Sequence, residues 1–312
     1  MPEPCPTYAD VLAERRLSPE ALSKEFAKLK SYKVDLKSRC FAGNPILYHF
    51  QLDNLCRVKT KVGSLYEIMQ DDKKRVDWWE KVNRYAYGSR PSAPATRYFE
   101  LFRRLTGCVA FFKPTVAINV YKQVRATAVL DPCAGWGGRL LGAAAIGIPY
   151  TGIDTNVSLK PGYDEMVAKL DIKNTQMLWS NALEVDFSTI DYDCVLTSPP
   201  YINLEIYVGM TPFSSDDEFY TKFLIPLINK CRNNIRRAGM VCFNISPPMY
   251  EALTTTYAYD KCSSEVPMLQ QKVRGKDKED KVYCWHGAKV ASLADEMDNL
   301  SKQLEKVKFE DA

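Results

Sequence analysis

Short apolar runs alternate with longer amphipathic stretches along the chain from residue 110 onward. The short runs predict β-strands at residues 128–130, 150–153, 176–179, 194–196, 239–245 and 282–285. The longer stretches predict α-helices at residues 115–124, 139–146, 159–170 and 216–236. Strands that alternate with helices predict an α/β fold with a doubly wound, mostly parallel sheet. Ligands bind such sheets at the carboxyl ends of the strands.

The region before this pattern, residues 1–109, predicts helices instead of strands. Residues 97–105 predict an amphipathic helix with Arg103 and Arg104 on its polar side. Upstream of it, basic and aromatic residues interleave: Lys73, Lys74, Arg75, Trp78, Trp79, Lys81, Arg84 and Tyr85. This mixture favours either a nucleic-acid-binding face or an aromatic core, since both use tryptophan at helical spacing. The region is therefore an accessory region and a candidate for nucleic-acid recognition.

The remainder divides into a predicted ligand-binding domain at residues 110–290 and a C-terminal helix at residues 291–312. Apolar residues recur in that helix at steps of four and three: Leu293, Met297, Leu300, Leu304 and Val307. Such a stripe packs on its own domain or pairs with a second subunit, as in a homodimer.

Composition and charge narrow the class of protein. The 312 residues are 46% hydrophobic and 26% charged, and no apolar run has the length of a membrane span, so we expect a soluble protein without a membrane partner. Residues 1–110 hold 20 basic and 13 acidic residues, a balance of +7, and the remaining 22 basic and 25 acidic residues give −3, which together make the net +4. A basic front end suits a polyanionic partner such as nucleic acid.

The ten cysteines argue against both disulfides and metal. No two of them form a Cys-x-x-Cys pair, and only two histidines are present to supplement them, so we expect no metal site. The first residues also lack the basic start and apolar centre of a signal peptide. We therefore expect an intracellular protein with free thiols in a reducing compartment, the cytoplasm or the nucleus.

A glycine-rich segment at residues 131–139, called the glycine turn below, links the first predicted strand to the helix that follows it. Gly135 and Gly137 lack a Cβ, so the backbone can bend sharply and a ligand can approach the first N–H groups of the helix. Asp154 ends the next strand, 19 positions after Gly135, where an acid accepts the ribose hydroxyls of an adenosine-type ligand.

Two phosphate-binding patterns are absent from the glycine turn, which reduces the number of candidate ligands. A dinucleotide pattern would need glycine in place of Leu140, and no Gly-Lys-Ser/Thr for a triphosphate is present. Asp131 at the head of the turn opposes a phosphate and favours an ammonium group. S-adenosylmethionine has an amino-acid end, a ribose and no phosphate, and it fits this arrangement. Asn181 and Ala182, after the third strand, are then expected beside its adenine.

Ser198-Pro199-Pro200-Tyr201, called the proline corner below, follows the fourth predicted strand. The two prolines hold the preceding residues extended, which aims the Ser198 hydroxyl and the Pro199 carbonyl outward. Such acceptors can bind the N–H bonds of an exocyclic amino group and free its conjugated lone pair to attack a methyl group. Tyr201 is expected to stack on the base, which must first be flipped out of a duplex.

With both motifs in hand, the chain resembles the S-adenosylmethionine-dependent amino-methyltransferases of DNA over about residues 110–290. The resemblance rests on the glycine turn, on residues 197–201 and on Phe112-Lys113-Pro114, which lies where the family closes over the methionine end of the cofactor. It implies a Rossmann-like class I methyltransferase fold. The implied cofactor contacts are Lys113, Asp131, Cys133, Ala134, Gly135, Trp136, Gly137, Asp154, Asn181 and Ala182.

The chain also departs from the family's pattern. Its turn lacks the family's Phe-x-Gly-x-Gly form, so Trp136 either replaces the missing phenylalanine contact or packs beneath the turn. Serine at the head of the proline corner is similar to the cytosine-N4 version, which favours cytosine N4 of DNA as the target and adenine N6 next. An RNA base amino-methyltransferase and a catalytically silent nucleic-acid-binding subunit are the alternatives.

Base recognition needs residues outside the two motifs. Asp131 precedes Thr197, the residue before the corner, by 66 positions, and the predicted strands and helices occupy that interval. Recognition is therefore expected from the first 110 residues, from the 247–281 region or from the loop at 202–215. Within that loop, Glu205 and Tyr207 are candidate substrate contacts.

Overall fold

The computed structural model describes residues 3–36, 39–85, 93–106, 111–200, 213–236, 238–268, 272–273, 276–277 and 280–288. Helices dominate the described part of the chain before residue 128. They are α1 (Tyr8–Glu14), α2 (Pro19–Lys30), α3 (Asn44–Arg57), α4 (Leu65–Gln70), α5 (Asp72–Arg84), α6 (Pro94–Thr106) and α7 (Pro114–Gln123). Side chains accept the free N–H groups at their starts: Ser18 accepts from Ala21, and Ser64 forms a capping box with Glu67.

The strands begin at residue 129. They are β1 (Val129–Asp131), β2 (Tyr150–Asp154), β3 (Thr175–Trp179), β4 (Cys194–Thr197), β5 (Met240–Asn244), β6 (Ser264–Met268), β7 (Lys272–Val273), β8 (Lys276–Asp277) and β9 (Asp280–His286). Within the described residues, β7 and β8 pair only with each other, and the others form one sheet in the order β3-β2-β1-β4-β5-β9-β6. The strands predicted from the apolar runs are confirmed, with ends shifted by one or two residues.

The sheet topology defines the fold. Strands β1 to β5 are parallel, and β9 runs antiparallel to both of its neighbours, β5 and β6. The chain adds strands on one side of β1 and then on the other, so the gap between β1 and β4 is the topological switch point. This is the Rossmann-like class I methyltransferase fold with a helical N-terminal region, as predicted.

The remaining helices alternate with the strands. They are α8 (Gly138–Ile146), α9 (Lys160–Lys169), α10 (Asp216–Phe219), α11 (Ile225–Asn234) and α12 (Pro247–Thr255).

The helix predicted at residues 216–236 is confirmed from residue 216 to residue 234, with one irregularity. A π-helical turn at Tyr220–Leu224 joins α10 to α11, and it ends two residues before Pro226, whose missing N–H prevents a regular helical bond. The helix ends at Asn234 instead of Arg236, because Ile235 turns into the core with an extended backbone.

Alternate residues of the strands face two separate hydrophobic clusters. Val129, Leu196 and Cys242 face a cluster that continues into the N-terminal helices and α7 to α9. Leu130 and Phe243 face the other cluster, which is covered by α11 and α12. The N-terminal helices thus pack directly on one face of the sheet, and the core is continuous across residue 110. The domain boundary placed there stays a prediction.

The aromatic residues of the N-terminal region serve mainly as core. Trp79 is buried and stacks on Tyr98, and half-buried Trp78 meets Phe102 edge to face. Tyr85 is 54% exposed. Both tryptophans therefore take part in aromatic packing, and nucleic-acid binding by this stretch stays a prediction.

The polar side expected for α6 is only partly correct. Arg104 is exposed, whereas Arg103 is half-buried. The Arg103 guanidinium lies 5.6 Å from the centroid of the Tyr48 ring and 5.4 Å from that of Phe99. The prediction failed for Arg103 because a long cationic side chain gains attraction from the faces of aromatic rings.

Other expectations concern the whole chain. None of the helices that the structure describes is both long and apolar enough to span a membrane. The described residues contain no group of three or more His, Cys, Asp or Glu side chains arranged to hold a metal ion, and no disulfide joins the described cysteines. The C-terminal helix at residues 291–312, and with it the expected homodimer stripe, lies outside the described residues.

Candidate functional site

The glycine turn leaves β1 and enters α8 through two left-handed residues. Gly135 has φ +58° and Gly137 has φ +88°, values that glycine adopts without strain. A Cβ on Gly138 would lie 1.9 Å from the Phe112 carbonyl oxygen, so this position requires glycine for a close backbone approach. A Cβ on Gly135 would have no neighbour nearer than 3.8 Å. The turn is therefore closed on the Gly138 side and open beside Gly135, where the backbone can meet a ligand.

Asp131 lies beneath this turn and is fully buried. Its Oδ2 accepts hydrogen bonds from Arg139 Nε at 2.6 Å and from the Tyr150 hydroxyl at 2.7 Å. Its Oδ1 is also buried and has no hydrogen-bond partner. Asp131 is therefore not the open anion expected at the head of the turn, because Arg139 balances its charge. Binding of an ammonium group by Asp131 stays a prediction and now concerns Oδ1 alone.

Arg139 is the residue of this site that sequence reasoning missed. Besides pairing with Asp131, its Nη2 donates to the Cys133 carbonyl, and its guanidinium lies 4.9 Å from the centroid of the Phe112 ring. Burial, together with the Asp131 charge, raises the pKa of Tyr150 well above its ordinary value, so that hydroxyl remains a donor. The signal in the sequence is an arginine eight positions after an acid, with the glycine turn between them.

Asp154 ends β2 and faces the same turn. Its Oδ2 accepts from the Gly135 N–H at 2.7 Å, and its Oδ1 accepts from the Asn156 N–H at 2.8 Å. Burial raises the pKa of Asp154, while these two N–H groups act in the opposite direction. Each carboxylate oxygen can accept more than one hydrogen bond, so both retain capacity for ribose hydroxyls.

Other residues of the glycine turn anchor it to its neighbours. The Ala134 N–H donates to the Ile153 carbonyl on β2 at 2.9 Å, and the Cys133 N–H donates to Thr197 Oγ1 on β4 at 3.0 Å. Trp136 is buried and packs 5.7 Å from the ring of Phe111. Trp136 thus packs against the core, and its contact with a cofactor stays a prediction.

Lys113 precedes α7, next to the Phe112 carbonyl that covers Gly138. Its side chain is buried, and its Nζ lies 4.3 Å from the ring centroid of Phe41, which is 56% exposed. Burial and the nearby Arg39 charge lower the pKa of Lys113 to about 8. The structure therefore brings this lysine to the border of the glycine turn, and its contact with a cofactor stays a prediction.

Asn181 and Ala182 follow β3. Asn181 is exposed, and its side chain bonds within its own loop: Oδ1 accepts from the Leu183 N–H and Nδ2 donates to Glu184. The Ala182 carbonyl accepts from Lys230 on α11 at 3.2 Å. The loop is therefore held in shape by local bonds, and its contact with adenine stays a prediction.

The proline corner leaves β4, the strand beside β1. Ser198 is half-buried, and its hydroxyl lies 3.3 Å from Asn244 Oδ1 and 3.5 Å from the Asn244 carbonyl oxygen on β5. Pro199 is buried, and Pro200 is half-buried. Three expected site residues, Tyr201, Glu205 and Tyr207, lie outside the described residues.

The structure thus brings together three predicted elements, the glycine turn, Asp154 and the proline corner, at the carboxyl ends of β1, β2 and β4. Their chemistry differs: the turn offers backbone N–H groups and buried carboxylates, while the described corner offers neutral oxygen acceptors. Among the described contacts of Ser198, no partner is titratable. This arrangement suits a reaction in which acceptors polarise an N–H group, and it provides no described base for taking the Ser198 proton.

Comparisons with known proteins give only distant structural similarities. No protein-family model and no curated protein matches the chain. Among solved structures it is similar to TrmN from Thermus thermophilus, with 13% identity, a TM-score of 0.42 and coverage of 67% of this chain and 77% of that one. It is also similar to an rRNA methylase from Streptococcus thermophilus (12%, TM-score 0.38, coverage 56% and 97%) and to NSun6 from Pyrococcus horikoshii with SFG (12%, TM-score 0.41, coverage 58% and 53%). At these values the likeness carries no information on ligand or substrate.

Proposed function

We propose that this protein transfers a methyl group from S-adenosylmethionine to the exocyclic amino nitrogen of a nucleic-acid base. Cytosine N4 of DNA is the first candidate target and adenine N6 the second. The observation that carries the proposal is the hydrogen bond from the Cys133 N–H to Thr197 Oγ1, at 3.0 Å. It joins the glycine turn to the residue before the proline corner, so a donor site and an acceptor site can share one cleft.

The residues of the turn fit the cofactor. The unpartnered Asp131 Oδ1 can accept from the ammonium group, and the remaining lone pairs of Asp154 can accept from the ribose hydroxyls. The open side of Gly135 allows close backbone approach, and the buried Lys113 borders the turn as a cation for the carboxylate. S-adenosylmethionine would supply a methyl group on a positively charged sulfur, and that sulfur would leave as a neutral thioether when the neutral nitrogen takes the methyl group. The methylated nitrogen would then return to neutrality by releasing one N–H proton to solvent.

The corner supplies what an amino group needs in order to react. An exocyclic nitrogen is a poor nucleophile because its lone pair is conjugated with the ring. Hydrogen bonds from its two N–H groups to Ser198 Oγ and to the Pro199 carbonyl favour a tetrahedral nitrogen. These fixed dipoles also stabilise the positive charge that develops there, and the proline backbone prevents them from turning away.

The choice of nucleic acid as the substrate, with DNA first, rests on the charge of the N-terminal region and on the family resemblance. The first 110 residues carry a balance of +7, which suits the phosphate backbone of a nucleic acid. Serine at position 198 is similar to the cytosine-N4 form of the corner and favours that base. The same corner chemistry would serve an RNA base, so the test must present both polymers.

The test measures transfer of a tritiated methyl group to double-stranded DNA, single-stranded DNA and RNA of matched sequence. We expect label on DNA. Label on RNA alone would mean that the substrate is RNA instead of DNA, and the proposed amino-methylation would stand. Calorimetric titration with S-adenosylhomocysteine runs alongside it. Absence of binding there, together with absence of transfer, would mean that the protein is not a methyltransferase of this kind.

A further inference from the structure

The geometry points to Asn244 as a positioning residue that fixes the direction of the Ser198 hydroxyl proton, so that Ser198 offers only acceptor lone pairs to the substrate. This inference rests on the proposed function and deepens it, because the direction of one proton decides which atoms of a base can bind at the corner.

Asn244 is placed for this role by the sheet. It is the last residue of β5, which pairs in parallel with β4, and it is 96% buried, with 4% relative exposure. Its Oδ1 lies 3.3 Å from Ser198 Oγ, and its own carbonyl oxygen lies 3.5 Å from the same atom. Both atoms on Asn244 are acceptors, so the shared proton must come from Ser198.

The orientation of the Asn244 amide is set by the next strand. Its Nδ2 donates at 3.2 Å to the carbonyl of Lys281 on β9. A carbonyl can only accept, so the nitrogen side of the amide must face β9 and the oxygen side must face Ser198. A flipped amide would set two oxygens against each other at β9. The backbone of β9 thereby decides, through Asn244, that Ser198 donates inward.

Thr197, the residue before Ser198, directs its own side chain to the other neighbouring strand. Its Oγ1 accepts from the Cys133 N–H, on the β1 side. The two neighbouring hydroxyls therefore have different partners. The corner is therefore tied to β1 through Thr197 and to β5 through Ser198.

The consequence concerns the substrate. A Ser198 oxygen with its proton engaged by Asn244 binds a group that carries N–H, such as the exocyclic amino group of cytosine or adenine. An unprotonated ring nitrogen is itself an acceptor, and it would meet the Ser198 lone pairs without a hydrogen between them. Asn244 thus favours amino nitrogens over ring nitrogens as the methylated atom.

A double-mutant cycle on Asn244 and Ser198 tests the inference. In the otherwise unchanged protein, Asn244→Ala is expected to lower the single-turnover transfer rate about tenfold. Some activity remains because the carbonyl of residue 244 still accepts from Ser198. In the Ser198→Ala background the same replacement is expected to change the rate less than about twofold, because the proton it directs is gone. Affinity for S-adenosylhomocysteine should stay unchanged in every variant.

Two further variants separate positioning from a general loss of packing. Asn119→Ala removes another buried asparagine, whose Nδ2 donates to the Asp35 carbonyl at 3.1 Å, and is expected to leave the rate unchanged. Asn244→Asp has the same size as the native residue. Burial at this position favours the protonated carboxyl, whose O–H can donate to the Lys281 carbonyl while its other oxygen accepts from Ser198. The variant is expected to retain a rate within about threefold of the unchanged protein, and it carries the test if Asn244→Ala fails to fold.

The outcomes distinguish this inference from the proposed function. Asn244→Ala could lower the transfer rate by the same factor in the unchanged protein and in Ser198→Ala, or Asn244→Asp could be as slow as Asn244→Ala. Either result would overturn the role of Asn244 and leave the methyltransferase proposal intact. Failure of the unchanged protein to methylate any amino nitrogen would overturn both.

Discussion

The glycine turn and the proline corner lie on adjacent strands but are held in place by different forces. Beneath the turn, the Asp131 carboxylate and the Arg139 guanidinium form an ion pair whose side chains are 0% and 4% exposed, and the Tyr150 hydroxyl donates to the same carboxylate. The corner has no charge among its described contacts. Its Ser198 hydroxyl meets an amide oxygen at 3.3 Å, and the hydroxyl of Thr197, just before the corner, meets a backbone N–H at 3.0 Å.

The difference indicates a division of tasks. A buried ion pair cannot lose one partner without a large penalty, so it gives the turn a single rigid shape. Neutral hydrogen bonds hold the corner more weakly but leave oxygen lone pairs available to a substrate. The turn is thus built to be fixed before a ligand arrives, and the corner is built to accept hydrogen bonds from one.

The largest expected effect comes from removing the cation beneath the turn. Arg139→Met leaves Asp131 as an unpaired buried charge, and the free energy of unfolding is expected to fall by about 3–5 kcal/mol. Urea denaturation measures the change. Lys160→Met, which removes an exposed pair with Asp164, is the matched control and should cost less than about 1 kcal/mol. Equal losses in the two variants would contradict the rigid role of the turn.

Substitutions in the corner are expected to lower the transfer rate and to change the free energy of unfolding little. Ser198→Ala removes one acceptor from the amino group, and the single-turnover transfer rate is expected to fall about 100-fold. Affinity for S-adenosylhomocysteine should stay within about twofold, because the turn is untouched. Tyr201→Ala is expected to lower transfer as well, by removing the stacking partner of the base. If transfer survived both changes, the catalytic assignment would be wrong.

Thr197 joins the two regions and should therefore affect both measurements. Thr197→Val removes the acceptor of the Cys133 N–H, so cofactor affinity and transfer rate are each expected to fall about fivefold. Thr197→Ser keeps the hydroxyl and should preserve both. An effect of Thr197→Val on the rate alone would place the bond in the corner and break the proposed link to the turn.

The smallest expected effect is a pH dependence of cofactor binding. The ionised Asp154 accepts ribose hydroxyls more strongly than the protonated form, and burial raises its pKa. Affinity for S-adenosylhomocysteine should therefore fall as the pH is lowered, with a midpoint above that of an ordinary aspartate. Calorimetry across the acidic pH range measures this fall in affinity, and Asp154→Asn should abolish it. A fall in affinity that persisted in Asp154→Asn would be due to another titrating group.

Sequence patterns predicted the sheet well because its elements are local. Short apolar runs such as Cys194–Thr197 and turn residues such as Gly137 favour their backbone conformation without distant contacts. The order of strands and the meeting of turn and corner then follow from the handedness and regularity of α/β folds.

The remainder depended on contacts that the sequence patterns did not identify. The charge of Asp131 is balanced by Arg139, and the Ser198 hydroxyl lies near the Asn244 amide oxygen, 46 positions away. The half-burial of Arg103 likewise needs Tyr48, which lies on α3, 55 positions away. Such pairs are decided by packing in three dimensions, so the motifs identified the site but not the bonds that hold it.

Nucleoside mass spectrometry tests the central claim most directly. The protein is incubated with methyl-labelled S-adenosylmethionine and matched DNA and RNA, the polymer is digested, and each labelled nucleoside is identified. The account predicts label on an exocyclic amino nitrogen, with N4-methylcytosine in DNA first and N6-methyladenine second. Label on a ring nitrogen or ring carbon, or no label in either polymer, would contradict it.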